Sequence, residues 1–565
     1  MENIKNFKDL QYVRPNFDEV NESIARLTYG AKNAKDFEGL KTIISEFEDI
    51  WAELHTNLTI SMIRAYLDSS DEYYNNEMAE GMQKETTINY NDFYKALLNS
   101  PFNNEIDKEF GKQFLIKLGD SINLKSKGLD LMEKEQELIF KYQKLKATIR
   151  VDFDGKSLSE GEIRKYITSE NRETRREASI ALHKAYINLR EEFSNILSEL
   201  IKVRNELAKV NGFESFADYM NIEKGRRDYG QKELLDFCSS VSEELSDFLI
   251  KVSDAQAKRL GLEKLSYYDQ AISFVDGNAK PIGNGVALAE KAKEMYRDLG
   301  EDISEIYNTM VDKNYLDVSE SPNKISGMGF ATELYTLKFP YVFGNCDGSI
   351  HDVDVLTHEV GHAYQMYLSL KKQPLYTYSS MPNDVAEIPS KAMEHFTQDY
   401  AEIFFGDDTN KFKHQFLEQS LKEVVSYCGI HQFESWLYSN PEATPEERSN
   451  KYFEGIKKLE PGIDYCEIEE MKLWESLLFK SMGVYMFPFY LISYAISAMS
   501  AMEFAKRMSE DKEVTWESYK KLSSSGGSLP YYELLETANL SSPFEKETIK
   551  NSIGYIKGKL LKYID

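Results

Sequence analysis

The segment 357–364, with the sequence THEVGHAY, constrains this chain more than any other because it contains the pattern His-Glu-x-x-His. Residues four positions apart in an α-helix lie on one face, so the imidazoles of His358 and His362 can bind one zinc ion. Glu359 lies next to that face and can take a proton from a zinc-bound water, whose pKa the metal lowers to about 7. The hydroxide that remains can attack a peptide carbonyl. The pattern therefore predicts a zinc-binding helix and peptide hydrolysis.

Apolar residues around this pattern recur at spacings of three and four, which predicts a buried amphipathic helix. They are Val353, Leu356, Val360, Ala363 and Tyr367. The alternative is a buried core helix that carries the pattern by chance.

A catalytic zinc ion needs a third protein ligand and keeps its fourth position for water. Glu387 is the candidate, in a second run of helical character that continues through Phe396. Two packed helices would bring the three side chains together. Glu394 or Asp354 can orient a ligand imidazole from behind. For both, a solvated surface carboxylate is the simpler interpretation.

Several further motifs accompany this pattern, and together they resemble one family. They are the lead-in 352–357, Glu387-Ile388-Pro389-Ser390, Gly327-Met328-Gly329-Phe330 upstream, and Pro488-Phe489-Tyr490 with Tyr494 downstream. The set is similar to the oligoendopeptidase F branch of the thimet-oligopeptidase-like zinc peptidases. The resemblance implies a mainly α fold, with two helical lobes around a deep substrate channel that admits only short peptides. It also places the zinc at the floor of that channel, and we expect a small β-sheet next to the zinc-binding helices.

The resemblance also assigns roles to individual residues. It implies that His358, His362 and Glu387 bind one Zn²⁺ ion and that Glu359 is the general base. Tyrosines after the second helix would stabilise the tetrahedral intermediate.

Tyr490 and Tyr494 are the candidates for that role, because they are four residues apart and share a helical face. Ordinary core packing is the alternative for both. The chain departs from the family at Gly483, where the resemblance predicts a histidine. Tyr485 is a weaker candidate for replacing that histidine.

With 565 residues, the chain is too long for one hydrophobic core, so we expect two or more lobes. A turn near Gly155 suggests an N-terminal helical lobe at 1–155 and a zinc-peptidase catalytic region at 156–565. Long helical segments are expected from residue 37 to 67 and from 105 to 145. No two of the four cysteines are spaced as a Cys-x-x-Cys pair, and all four are expected to remain reduced.

The net charge of −26 disfavours nucleic acid and anionic membranes as partners. The expected partners are oligopeptide substrates, which the zinc-peptidase pattern and the family resemblance imply. The first residues lack the basic and apolar runs of a signal peptide, which predicts a cytoplasmic protein. The uncharged run 482–502 is long enough to span a bilayer, but Pro488 and three internal tyrosines favour a buried helix.

Residues 334–343 alternate in the period of two that is typical of a strand, and Pro340 favours an edge strand. A free edge beside a peptidase centre can bind a substrate backbone. Gly327, Gly329 and Gly344 would then allow that backbone to approach closely. An ordinary structural strand is the alternative.

The sequence predicts a zinc-dependent endopeptidase, and the family resemblance implies that it hydrolyses internal bonds of short oligopeptides. A metallo-exopeptidase with the same metal centre is one alternative. A catalytically silent zinc- or peptide-binding relative is the other, and Gly483 is the residue that motivates it.

Overall fold

The structure is a computed structural model that describes residues 5–124, 127–325 and 328–564. Helices dominate it, which confirms the mainly α prediction. The first helices are α1 (Phe17–Lys32), α2 (Phe37–Leu67), α3 (Glu72–Glu85), α4 (Tyr90–Leu98), α5 (Asn103–Phe110), α6 (Lys112–Asn123) and α7 (Leu129–Ala147). Then come α8 (Glu160–Ile167), α9 (Arg172–Ile187), α10 (Arg190–Val210), α11 (Phe216–Glu223), α12 (Gln231–Arg259), α13 (Gly285–Leu299) and α14 (Glu301–Asp312).

The C-terminal half contains the remaining helices. They are α15 (His351–Asp354), α16 (Val360–Lys372), α17 (Asn383–Phe396), α18 (Ala401–Phe405), α19 (Thr409–Ser439), α20 (Pro445–Leu459), α21 (Cys466–Glu470), α22 (Glu475–Phe479), α23 (Met482–Met486), α24 (Ile492–Glu510), α25 (Lys512–Ser525), α26 (Tyr531–Thr537) and α27 (Lys546–Ile564). The strands are β1 (Val151–Phe153), β2 (Lys156–Leu158), β3 (Leu265–Ser266), β4 (Leu316–Asp317), β5 (Gly329–Leu334), β6 (Phe339–Gly344) and β7 (Ile463–Asp464).

The chain divides into two compact units, each assembled from separate stretches. Unit 1 comprises residues 1–123, 280–409 and 504–541, and unit 2 comprises residues 124–279, 410–503 and 542–565. Unit 1 has a core between its N-terminal helices that includes Ile44, Phe93 and Tyr378. Unit 2 has a larger core that includes Tyr142 and Tyr485. A division of the continuous sequence near residue 155 stays a prediction.

Capping residues and glycines determine where the N-terminal helices begin and end. The Asp36 side chain accepts a hydrogen bond from the Gly39 N–H at 2.8 Å, and α2 begins at the next residue as predicted. The expected helix from 105 to 145 is wrong as one segment, because it is divided into α5, α6 and α7. Gly111 and Gly128 have φ of +87° and +74°, values that favour glycine and interrupt a helix.

The alternating segment 334–343 forms a hairpin instead of one strand. Strand β5 ends at Leu334, a 3₁₀ turn follows, and Lys338 adopts the left-handed conformation with φ of +48° before β6 begins. The strand order is β4-β6-β5, so β6 is central and the edge prediction for Pro340 is wrong. Pro340 is tolerated there because β4 pairs only with Val342 and Phe343. In this sheet β4 and β5 are the edge strands, and Gly327 lies outside the described residues.

The uncharged run 482–502 is broken by a turn, residues 487–491, between α23 and α24. Among the helices of the described residues, none combines the length and the apolar character that crossing a membrane requires. All four cysteines are free thiols. Cys238, Cys346 and Cys428 are buried, and Cys466 is exposed.

Candidate metal and catalytic site

The His-Glu-x-x-His pattern lies in one helical run from His351 to Lys372 that is not α-helical throughout. Residues Val355–Glu359 form a π-helical turn between α15 and α16. A wider turn shifts backbone hydrogen bonds, and buried carbonyls then need other donors. The Tyr296 hydroxyl of α13 donates to the Leu356 carbonyl at 2.6 Å. Thr357 donates to the Val353 carbonyl at 2.9 Å. These bonds stabilise the irregular turn that presents His358.

Helix α17 packs closely against α16 at Gly361. A methyl group at Gly361 would lie 2.7 Å from the Ser390 Cα and 2.9 Å from the Pro389 carbonyl oxygen. Real Cβ atoms do not approach backbone this closely, so only glycine allows this crossing. The Tyr519 hydroxyl of α25 donates to the same Pro389 carbonyl at 3.0 Å and helps to hold α17 at this crossing. The close crossing brings the Glu387 side chain to the histidines.

The structure brings together the three residues that the sequence predicts as metal ligands. Glu387 Oε2 lies 3.3 Å from His358 Nε2 and 3.2 Å from His362 Nε2. One ligand atom from each residue lies within 4.8 Å of the others. Two imidazoles and one carboxylate are the donor set of a catalytic zinc site, which keeps its fourth position open. This donor set fits a zinc ion.

Two neighbours orient the ligands from behind. His358 Nδ1 donates to Glu394 Oε1 at 2.5 Å, which leaves Nε2 facing Glu387. The Ser390 hydroxyl donates to Glu387 Oε2 at 2.8 Å. A ligating histidine normally donates its second N–H to a carboxylate in this way. The interpretation of Glu394 as a solvated surface carboxylate is therefore wrong.

Asp354, the other candidate for orienting a histidine, is directed away from the ligands. It is half-exposed and its Oδ2 contacts Nδ1 of the exposed His351 at 3.1 Å. A signal for Glu394 was present in the sequence, because it lies seven residues after Glu387. That spacing places both carboxylates on one face of α17.

Electrostatics at the three ligands favour a bound cation. Burial disfavours the charged ring of His358, but Glu387 and Glu394 outweigh it and raise the pKa of His358 well above 6.5. Burial likewise disfavours the Glu387 carboxylate, but the two histidines lower the pKa of Glu387 far below 4.5. Two carboxylates thus hold a positive charge between them. A divalent cation can take the place of that proton.

Glu359 lies half-buried next to the ligands. In the part of the chain that the structure describes, no hydrogen bond or ion pair engages its carboxylate. The start of β5 is close by: a methyl group at Gly329 would lie 3.7 Å from Glu359 Cγ and 2.8 Å from Val355 Cγ2. A carboxylate with free lone pairs beside a metal-binding cluster can accept a proton.

Tyr490 and Tyr494 lie in unit 2, whereas the three ligands and Glu359 lie in unit 1. The two tyrosine hydroxyls are 3.4 Å apart. Tyr490 precedes α24 and belongs to the 487–491 turn, and its ring lies 5.4 Å from the Lys224 ammonium.

Gly483 and Tyr485 contribute no polar group beside these tyrosines. A methyl group at Gly483 would lie 2.6 Å from Leu491 Cδ1, so a leucine occupies the adjoining space. The Tyr485 ring stacks on Tyr142 at 4.2 Å and its hydroxyl donates to the Phe193 carbonyl at 3.2 Å. Tyr485 is a core residue, and the suggestion that it replaces the missing histidine is wrong.

Comparisons with known proteins agree with the resemblance found in the sequence. A model of peptidase family M3 matches residues 165–553, and a model of the peptidase M3 N-terminal domain matches residues 7–124. The oligoendopeptidase F homolog of Borreliella burgdorferi is 24% identical over 463 residues, which cover 77% of this chain and 75% of the relative.

Solved structures extend the likeness to nearly the whole chain. PZ peptidase A, solved with an inhibitor, superposes with a TM-score of 0.88 at 30% identity and covers 98% of this chain and 99% of its own. A protein from Bacillus anthracis str. Ames, provisionally assigned as an oligoendopeptidase F, gives a TM-score of 0.83 at 30% identity and covers 99% of each chain.

Proposed function

The chain belongs to peptidase family M3, and from this premise we propose how its own residues hydrolyse peptides. It is an oligopeptide-hydrolysing metallo-endopeptidase, as its family and its oligoendopeptidase F relatives indicate. We assign zinc as the metal, one ion per chain, with His358, His362 and Glu387 as its ligands. We assign Glu359 as the general base and Tyr490 and Tyr494 as hydrogen-bond donors to the substrate. Cytoplasmic localisation stays a prediction.

One observation carries this proposal. Three ligand atoms from two crossing helices converge within 4.8 Å of one another, and Glu394 orients His358 from behind. A bound zinc ion would polarise the scissile carbonyl and acidify the attacking water.

The residues of the chain do the remaining work. Glu359 accepts a proton from the attacking water on its free carboxylate and passes it to the leaving amine nitrogen. Tyr490 and Tyr494 donate hydrogen bonds to the carbonyl oxygen as negative charge develops on it. Each such donor contributes on the order of 3 kcal/mol to the lowering of the barrier.

We also propose that the substrate backbone pairs with the free edge of β5. Among the described residues, β5 has a ladder partner on one side only, because the order is β4-β6-β5. Strand addition holds any sequence by main-chain hydrogen bonds, whereas pockets select side chains. Gly329 and Gly344 pair directly in this hairpin, and both face Val355 of the helical run that carries the ligands, which places this end of β5 beside Glu359. A channel that admits only short peptides remains part of the proposal.

The decisive experiment is digestion of end-blocked peptides of increasing length by the zinc-loaded protein, read by mass spectrometry. The Glu359→Gln variant and its zinc content are measured alongside. The proposal predicts internal cuts in short peptides, uncut long peptides, and an inactive variant that still binds one zinc. Cleavage of free-ended but not end-blocked peptides would identify an exopeptidase. Absence of cleavage with zinc bound would identify a silent relative.

A further inference from the structure

Phe489, the residue before Tyr490, has an unusual backbone conformation. Its φ is +57°, in the left-handed region that disfavours residues other than glycine. Its ring is 1% exposed and packs against His431 and Tyr438, with ring centroids 5.4 and 5.6 Å away. A strained residue persists only when its surroundings determine its conformation, and such residues concentrate at functional sites.

Two buried polar side chains, those of Glu434 and Arg226, hold the peptide groups of Phe489 from both sides. The Phe489 N–H donates to Glu434 Oε2 at 3.0 Å. Its carbonyl accepts from Arg226 Nη2 at 3.0 Å, and the same Nη2 donates to the Ser493 hydroxyl at 3.0 Å. Arg226 therefore joins the 487–491 turn to the first residues of α24. Glu434 and Arg226 are 1% and 3% exposed.

A second buried arginine holds the chain just before this turn. Arg204 donates to the Val484 carbonyl at 3.1 Å and to the Tyr485 carbonyl at 2.7 Å. Glu135 accepts from Arg204 Nε at 2.7 Å, which balances one positive charge. We call Arg204, Arg226 and Glu434 together the clamp.

The cost of burying these groups indicates that the clamp does more than fill a core. Burying a charged group is expensive, and apolar residues of similar volume often stabilise a protein as well or better. Here each of the three side chains makes a hydrogen bond to backbone atoms of one short segment, residues 484–489. Tyr490 follows that segment directly.

We propose that the clamp positions the Tyr490 hydroxyl for transition-state stabilisation, with Arg226 and Glu434 as positioning residues that do not touch the substrate. This inference rests on the proposed function of Tyr490. Rotation of the Phe489 peptide away from its left-handed conformation would redirect the residue that follows. A displacement of about 1 Å can cost about 100-fold in rate.

The main experiment measures kcat and KM of the zinc-loaded protein on an end-blocked fluorogenic peptide. Arg226→Met is compared with Arg175→Met. Arg175 is a matched control in unit 2, because it is also 3% exposed and also donates to backbone carbonyls, those of Ser169 and Glu170. We expect about a 100-fold loss of kcat in Arg226→Met, with little change in KM and with full zinc content. Arg175→Met should lose thermal stability to a similar degree and keep its kcat.

A double-mutant cycle with Tyr490→Phe separates positioning from general damage. We expect Tyr490→Phe to lose about 100-fold in kcat. Adding Arg226→Met to it should cost almost nothing more, because the group that Arg226 positions is already absent. If the losses of kcat from the two single substitutions multiplied in the double variant, the positioning role would be overturned. An unchanged kcat in Arg226→Met would also overturn it. An unchanged kcat in Tyr490→Phe would overturn the proposed role of Tyr490 first, and with it this inference.

A second pair of variants covers the case in which Arg226→Met does not fold. Glu434→Gln keeps an oxygen that accepts the Phe489 N–H, whereas Glu434→Leu removes it. The inference predicts a large loss of kcat in Glu434→Leu and recovery of most of it in Glu434→Gln. Equal kcat in the two variants would overturn it.

Discussion

The metal centre and the 487–491 turn are built in opposite ways. His362 and Glu387 project from regular helices, and His358 projects from the π-helical turn that leads into α16. The crossing of α16 and α17 at Gly361 determines where the three ligands meet. Tyr490 projects from an irregular turn that buried ionic groups hold from distant parts of the sequence. Arg226 and Phe489 are 263 residues apart in the chain, whereas His362 and Glu387 belong to adjacent helices.

This contrast separates two means of holding a catalytic group. Helix packing positions the ligands through many small contacts, so a substitution that disturbs this packing should lower metal affinity or stability. The clamp acts through a few strong polar contacts, so a substitution in the clamp should lower the reaction rate. The following predictions test that separation, from the largest expected effect to the smallest.

Replacing a ligand should abolish the metal centre outright. We expect Glu387→Ala to lose bound zinc and at least about 10⁴-fold of its activity, because enzymes of this kind provide accelerations of about 10⁶-fold or more. The clamp should be unaffected, so the helical signal in circular dichroism should persist. Metal analysis together with peptide hydrolysis checks both points. Retention of one zinc per chain would contradict the ligand assignment.

Loss of the group that orients His358 should weaken zinc binding without abolishing it. We expect Glu394→Gln to bind zinc about 10- to 100-fold more weakly. Asp354→Asn is the matched control, because Asp354 contacts only the exposed His351 among the described neighbours and should leave affinity unchanged. Competition with a chelator of known affinity measures both variants. Equal zinc affinities would contradict the orienting role of Glu394.

Filling the helix crossing should destabilise the metal centre through packing alone. We expect Gly361→Ala to lower the free energy of unfolding by about 1–3 kcal/mol and to weaken zinc binding, because the added methyl group meets backbone at 2.7 Å. Gly455→Ala in α20 is the control. Nothing lies within 4 Å of a methyl group there, so the variant should gain about 0.5–1 kcal/mol. Urea unfolding of the two variants should give opposite signs.

The clamp should make stability depend on pH. Burial outweighs the Phe489 N–H and the two arginines and raises the pKa of Glu434 from 4.5 to about 8. The folded protein therefore keeps a proton that the unfolded chain releases. The contribution of Glu434 to the free energy of unfolding is fully present below pH 4.5. It decreases as the pH rises towards 8, by at most about 1.4 kcal/mol per pH unit. Glu434→Gln should remove this loss in urea unfolding followed across that range, and an unchanged slope would contradict the pKa shift.

The same contrast explains what could be read from the sequence. Helical periodicity and the His-Glu-x-x-His spacing are local signals, so the mainly α fold and the ligand trio could be predicted. The central position of β6 depends on the two-residue strand β4, which no local sequence pattern predicts. The contacts by which Arg204, Arg226 and Glu434 hold residues 484–489 join positions 55 to 281 residues apart, and they produce no periodic pattern in the sequence. The left-handed conformation of Phe489 could not be predicted either, because phenylalanine does not favour that conformation.

The π-helical turn at Val355–Glu359 bears on how such sites are recognised in other sequences. Its extra residue changes the phase of the helix just where His358 and Glu359 stand, so the apolar stripes of α15 and α16 are offset. A chain that lacked one residue before His358 would still contain the five-letter pattern and would satisfy any text search. We expect such a chain to form a regular α-helix, in which the Leu356 carbonyl accepts a hydrogen bond within the helix and no longer needs the Tyr296 hydroxyl. The five-residue pattern alone therefore does not specify the geometry of the site, which also depends on Tyr296, 60 residues before Leu356.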